Sequence, residues 1–335
     1  MASMRVARLH GAGDVRIGDD ERPVPADGSV LVRVTSVGIC GSDLHWFTEG
    51  GIGDAVLSRP LILGHEMAGV TEDGVRVAID PAIPDGTCEM CLAGYPNLCP
   101  GVVFAGHGGC DGGLREYLTW PRERLHRLPD AVSDDDGAML EPLGVALHAT
   151  DLAHLRLART VGVVGCGPIG LLLIQLARLA GATRVLAAEP LPHRMEAAVK
   201  LGAEPAGDLA AAADVVFEVS GSDAAIDASL RLAKPGARVV LVGIPDGDRT
   251  TFSAAQARRK GLTLVMVRRM GEVYPRAIDL AARGLVDLGS LVSATYPLEE
   301  TATAMSRAAA RAGLKTVVRV DAAGGPPRKT DDTVR

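Results

Sequence analysis

A chain of 335 residues is long enough for about two domains, and its 47% hydrophobic and 23% charged content is that of a globular protein with a sizeable core. The formal net charge of −6 argues against a general nucleic-acid surface, and no apolar run approaches the ~20 residues of a bilayer-spanning helix, so no membrane role is expected. The opening MASMRVARLHGAGDVRI lacks an apolar core and cleavage site, which makes a cytoplasmic location the expectation; six cysteines in such a chain, several of them clustered, point to metal rather than to disulfides.

In chain order, the first ~150 residues read as irregular all-β, with short Val-rich runs such as SVLVRVTSV and GVRVAID broken by Gly and Pro. The texture then changes. Thr160–Val164 reads as a strand, Gly170–Ala180 as a helix and Arg184–Ala188 as a strand, and further strands follow at DVVFEVSG, ARVVLVG and LTLVMV. Strands alternating with Ala/Leu-rich helices are the pattern of a parallel sheet with crossover helices. After Gly284 the character is mixed, with YPLEETATAMSRAAARAG as a capped helix and KTVVRV as a last strand. The tail is polar and rich in Gly and Pro, and residues 322–335 are expected to be disordered.

VGVVGCGPIG supplies Gly165-x-Gly167-Pro168-Ile169-Gly170 directly between strand and helix. The first glycine permits a tight turn, the second lets backbone approach a pyrophosphate, and the third lets the helix pack on the strand. The helix N-terminus then offers the anion free N–H groups and a partial positive charge. Glu189 follows at about the 20-residue spacing expected of a carboxylate that grips the adenosine ribose. A carboxylate there repels a 2′-phosphate and favours NAD over NADP; Arg194 nearby would suit a phosphate and weakens that preference. Ser220 in FEVSG and Gly243 in LVGIP fall at later strand ends, where a doubly wound sheet binds its ligand.

Three separate stretches carry candidate metal ligands. CGSDLH contains Cys40, Ser42, Asp43 and His45; LGHE contains His65 and Glu66; MLEPLG contains Glu141, where a helix begins. Thiolate, imidazole and carboxylate are good zinc ligands, and a catalytic site uses three plus an open position. No spacing rule joins residues 40, 65 and 141. Taken singly, Cys40 reads as a small buried hydrophobe, His65 as a core histidine and Glu141 as a helix N-terminal carboxylate. Cys40 as a covalent nucleophile would need a base that its own block does not supply.

Together, GICGSDLHWFTEGGIGD, LILGHEMAG, EPLGVALHA and VGVVGCGPIG resemble the zinc-dependent medium-chain dehydrogenase/reductase family, in its sorbitol (polyol) dehydrogenase-like branch, in order along nearly the whole chain. The resemblance implies an α/β fold: a Rossmann doubly wound parallel sheet domain plus a mostly β, GroES-like catalytic domain. Residues 1–148 and 288–321 would form the catalytic domain, with 149–287 as the NAD-binding domain. It implies a catalytic Zn²⁺ on Cys40 and His65, with Glu66 or Glu141 as the third ligand, Asp43 fixing the His65 tautomer, and Ser42 and His45 passing a proton outward. The resemblance also implies a structural zinc in a four-cysteine lobe, here PDGTCEMCLAGYPNLCP, where Asp85 replaces the first cysteine beside Cys88, Cys91 and Cys99; three thiolates and a carboxylate can still hold zinc, and a metal-free lobe is the alternative. Trp46 and Ile52 match positions that line the substrate pocket. Arg268 matches half of an Arg-Tyr pair that holds hydroxyls, with Arg269 in place of the Tyr, and His107 intrudes in FAGHGGCDGGL.

The implied activity is NAD-dependent oxidation of a secondary hydroxyl of a small polyhydroxy substrate to a ketone, by a homodimer or homotetramer. Threonine, glucose, amino-cyclitol and simple secondary-alcohol dehydrogenases of the same family are the alternatives. A nucleotide-binding redox sensor without catalysis is the rival of a different class.

Overall fold

A computed structural model describes residues 2–320, and the expected disordered tail at 322–335 lies outside them. The chain divides into two compact units, one of Met1–Glu141, Tyr274–Ala282 and Leu288–Arg335, the other of Pro142–Val273 and Arg283–Asp287. The division falls at Glu141/Pro142, inside the helix Leu140–Ala153 that also contains the 148/149 boundary.

The first unit is organised by the strand Ser29–Gly38. Its β-branched run SVLVRVTSVG is buried on both faces, and it pairs antiparallel with Glu66–Thr71, Tyr117–Pro121 and Lys315–Arg319. Burial on both sides explains why the run is nearly continuous rather than alternating. Arg76–Ile79, Leu125–Arg127 and Val292–Pro297 complete a seven-stranded sheet. Leu61, Ile62, Leu63, Met67, Ile79 and Trp120 pack on it, each contributing roughly 1.5–3 kcal/mol by burial. The all-β expectation missed the helices Gly41–Glu49 and Asp134–Ala138. Both are short and begin at polar side chains that hold their first amides, a local signal weaker than the surrounding Val-rich runs. The helix Thr301–Ala309 is not capped by a side chain: Glu300 at its N-cap makes no capping hydrogen bond, and the Thr301 hydroxyl donates to the Leu298 carbonyl at 2.6 Å.

The second unit holds six parallel strands in the order Glu204–Pro205, Arg184–Ala188, Thr160–Val164, Ala213–Glu218, Ala233–Leu241, Thr263–Met266. That is the doubly wound order, with the sequence reversing direction at Thr160–Val164. The next helix runs Pro168–Leu179, starting at Pro168 rather than at Gly170, since proline suits the first helical position. Gly165 sits at φ +95°, and a Cβ on Gly170 would lie 2.0 Å from the Gly165 carbonyl oxygen, so the turn accepts no side chain at either place.

Candidate active site

In the first unit Asp43 draws the separate ligand-bearing stretches together. Its Oδ2 accepts from the Cys40 amide at 2.9 Å, fastening the start of the helix Gly41–Glu49. Its Oδ1 accepts from the Gly64 amide at 3.2 Å and lies 3.3 Å from His65 Nδ1. Asp43 thus holds the Nδ1 side of the ring, and Nε2, 3.4 Å from Ser42 Oγ, is the nitrogen left to bind a ligand once it releases its own proton. Burial works against the Asp43 charge, but His65 and the two amides hold its pKa below the ordinary carboxylate value. Burial likewise opposes a charged His65, yet Asp43 and the Cys40 thiol raise its pKa well above the usual imidazole value.

The strand Glu66–Thr71 begins beside His65 and turns Glu66 into the same space. Donor atoms of Cys40, His65 and Glu66 all lie within 4.8 Å of one another. Sulfur, imidazole nitrogen and carboxylate oxygen in one buried place are the donors zinc takes, and three of them leave a fourth position open, so the residues fit a catalytic zinc. Glu141 is outside that group but next to it. Burial pushes its pKa up to about 7, with His65 opposing and Glu66 adding to the rise. Sequence reasoning missed Lys315. Its Nζ forms an ion pair with Glu66 Oε2, with side chains only 3% and 1% exposed. Nothing in the run GLKTVVRV sets that lysine apart from a solvated strand residue.

Asp85, Cys88, Cys91 and Cys99 also bring donor atoms within 4.8 Å of one another. Asp85 Oδ1 accepts from the Thr87 and Cys88 amides at 2.8 Å each, and the Cys99 thiol donates to Oδ2 at 3.2 Å. Those amides hold the Asp85 carboxyl far below its usual range. Burial and the neighbouring Cys88 and Cys99 push the Cys91 thiol up to about 12, a crowding that a cation would relieve.

Of the expected substrate residues, Trp46 is a core side chain at 2% exposure with the His107 ring edge-on at 5.5 Å, while Ile52 is partly buried. The large apolar surface of Trp46 packs into the core of the first unit. His45 Nδ1 is 2.8 Å from Glu49 Oε1, one turn along its helix.

In the second unit Glu189 braces the phosphate turn. Its Oε2 accepts from the Cys166 amide at 2.7 Å and its Oε1 from the Leu191 amide at 3.0 Å. Arg194 lies over the turn, its Nη1 3.5 Å from where a Gly167 Cβ would be. Ser220 and Gly243 meet at the strand ends, where Glu218 Oε1 accepts from the Ser220 and Gly221 amides and a Cβ on Gly243 would strike the Gly221 amide at 2.1 Å. Arg268 and Arg269 follow the last strand rather than lying in it, and Arg269 has φ +53°.

Family models match in the same places: alcohol dehydrogenase GroES-like domain over residues 26–130 and zinc-binding dehydrogenase over residues 168–283. Sorbitol dehydrogenase of Bacillus subtilis is 32% identical, covering 91% of this chain and 94% of its own. A probable D-xylulose reductase A of Aspergillus clavatus is 34% identical, covering 92% and 95%. The structure of L-idonate 5-dehydrogenase from Escherichia coli superposes with a TM-score of 0.89 at 27% identity, covering 95% of this chain and 98% of that one. The chain belongs to the zinc-dependent medium-chain dehydrogenases, in their sorbitol dehydrogenase-like branch. Among the described residues no helix is long and apolar enough to cross a membrane.

Proposed function

We propose that this protein oxidises a secondary hydroxyl of a polyol to a ketone, with NAD as hydride acceptor and zinc held by Cys40, His65 and Glu66. The observation that carries the reading is Asp43, whose two oxygens bind the Cys40 amide, the Gly64 amide and His65, and so assemble a sulfur–nitrogen–oxygen donor set from distant segments. When bound there, zinc supplies Lewis acidity that favours loss of the hydroxyl proton. The chain's own groups handle that proton. Ser42 Oγ, beside His65 Nε2, takes it from the substrate, and His45, whose Nδ1 is engaged by Glu49, relays it through Nε2 to solvent. Glu141 stands by as a buried acid near neutrality. In the second unit Gly165, Gly167, Pro168, Ile169 and Gly170 form the pyrophosphate turn, with Glu189 and Arg194 beside the adenosine end and Ser220 and Gly243 at the later strand ends. Asp85, Cys88, Cys91 and Cys99 hold a structural zinc.

Among substrates, sorbitol, xylitol and other plain polyols come first, in line with the sorbitol dehydrogenase relative. A sugar acid is the second reading, favoured by Arg268 and Arg269 in succession where an Arg-Tyr pair was expected, and by the likeness to L-idonate 5-dehydrogenase. A cytoplasmic homo-oligomer suits six free thiols and an edge strand whose Met266 is 67% exposed. The test is NADH formation across polyols, sugar acids and simple alcohols, before and after chelation. Polyol-dependent, chelator-sensitive NADH is expected; no turnover of any alcohol by zinc-loaded protein would remove the reading.

A further inference from the structure

Gly38 is the last residue of the central strand. It pairs in register with Glu66 on one side and with Val317 on the other. Lys315 lies two residues before Val317 and so points to the same face of the sheet. The strands bearing Glu66 and Lys315 are thus neighbours but one, two spacings of about 4.8 Å apart, and a side chain on the middle strand would stand between them. Gly38 leaves that place open. A Cβ built on it would fall 2.0 Å from Glu66 Oε2 and 3.0 Å from Lys315 Cε, so the ion pair occupies the space that the missing side chain vacates. Burial disfavours the Lys315 ammonium, yet Glu66, the Cys40 thiol and Glu141 hold its pKa above the ordinary lysine value.

A buried ion pair is weak grounds for stability, since well-packed apolar residues of the same volume often serve as well. The location offers a more specific role. Carboxylates that ligate metals are themselves held by outer partners, and loss of such a partner typically weakens metal binding 10–100-fold. We propose that Lys315, reaching across the gap at Gly38, is a positioning residue that orients Glu66 as a metal ligand. The inference rests on Cys40, His65 and Glu66 holding zinc. It assigns Lys315 no contact with substrate.

The experiment is zinc affinity by competition with a chromophoric chelator, on full-length protein whose folding is checked by circular dichroism. The zinc lost in Cys40→Ser defines the site. Lys315→Met is expected to weaken that zinc 10–100-fold, Lys315→Arg to recover most of the loss, and Gly38→Ala, which displaces the pair, to resemble Lys315→Met. Adding Lys315→Met to Glu66→Gln is expected to change affinity less than about twofold, because the lysine then has no carboxylate to orient. A purely structural lysine would give the opposite pattern, with lowered thermal stability at unchanged zinc affinity. Wild-type or tighter zinc binding in folded Lys315→Met, or the same loss in the Glu66→Gln background, overturns the inference. If Lys315→Met does not fold, Lys315→Arg and Gly38→Ala carry the same comparison. If Cys40→Ser loses no zinc, the underlying metal site fails instead, and that outcome is distinct from both.

Discussion

The first unit contains two groups of metal-ligating side chains built in opposite ways. Cys40, His65 and Glu66 come from a helix start and a strand start; one carboxylate, Asp43, ties them, and a lysine from a third segment pairs with Glu66. Asp85, Cys88, Cys91 and Cys99 come from one short loop, partly exposed, and their hydrogen bonds run chiefly among themselves. The first group is fixed by the fold and leaves room for a reacting ligand. The second closes on itself and has only its own loop to order. In the function proposed above, chemistry belongs to the first and local folding to the second.

The largest expected effect breaks the first group alone. Cys40→Ser should lower NADH formation by roughly 10³-fold or more, since Lewis acidity is worth several kcal/mol of charge stabilisation. NADH binding, followed by fluorescence, should persist, because the phosphate turn lies in another unit. Zinc content should fall by the share that belongs to this site. If Cys40→Ser keeps its rate while substitution of Cys99 abolishes it, the assignment of the two groups is reversed.

A second test sharpens the electrostatics of the buried group. The Glu141 carboxyl titrates near 7 in the folded chain, against an ordinary value of 4.5. Between those values the unfolded chain binds fewer protons at this residue than the folded one, so its contribution to stability falls as pH rises from about 4.5 to 7. Glu141→Gln removes that dependence. In metal-free protein the variant should match wild type near pH 4.5 and exceed it at pH 8 by about 3 kcal/mol at most, at 1.36 kcal/mol per pKa unit. Urea unfolding at the two pH values measures the difference. A constant gap would mean that Glu141 is already ionised and solvated in the folded state.

The two groups were also unequally legible in sequence. CEMC and the later Cys99 announce a local cluster by spacing alone. Cys40 and His65 carry no such spacing, and only the resemblance joined them. The strands Thr160–Val164 and Arg184–Ala188 were read to the residue, because β-branched runs bounded by glycine in a parallel sheet leave little choice. Lys315 and Gly38 were invisible for one physical reason. Each depends on a register between strands distant in sequence, and a register leaves no mark on a single strand's own residues.

The smallest expected effect concerns the lobe, where the departure from four cysteines is a single carboxylate. Asp85→Cys supplies the missing thiolate but gives up the acceptor of the Thr87 and Cys88 amides. Without metal the loop should therefore loosen, and chelated Asp85→Cys should melt roughly 2–4 °C below chelated wild type. With zinc the fourth thiolate, a softer donor than carboxylate oxygen, should return that loss and tighten metal at the lobe. The chelator-induced drop in Tm is then larger in Asp85→Cys than in wild type, while the rate of polyol oxidation stays the same, since no group of the first site is touched. Equal drops in the two proteins would mean that the Asp85 amide hydrogen bonds alone order the loop, and that the lobe folds without an ion.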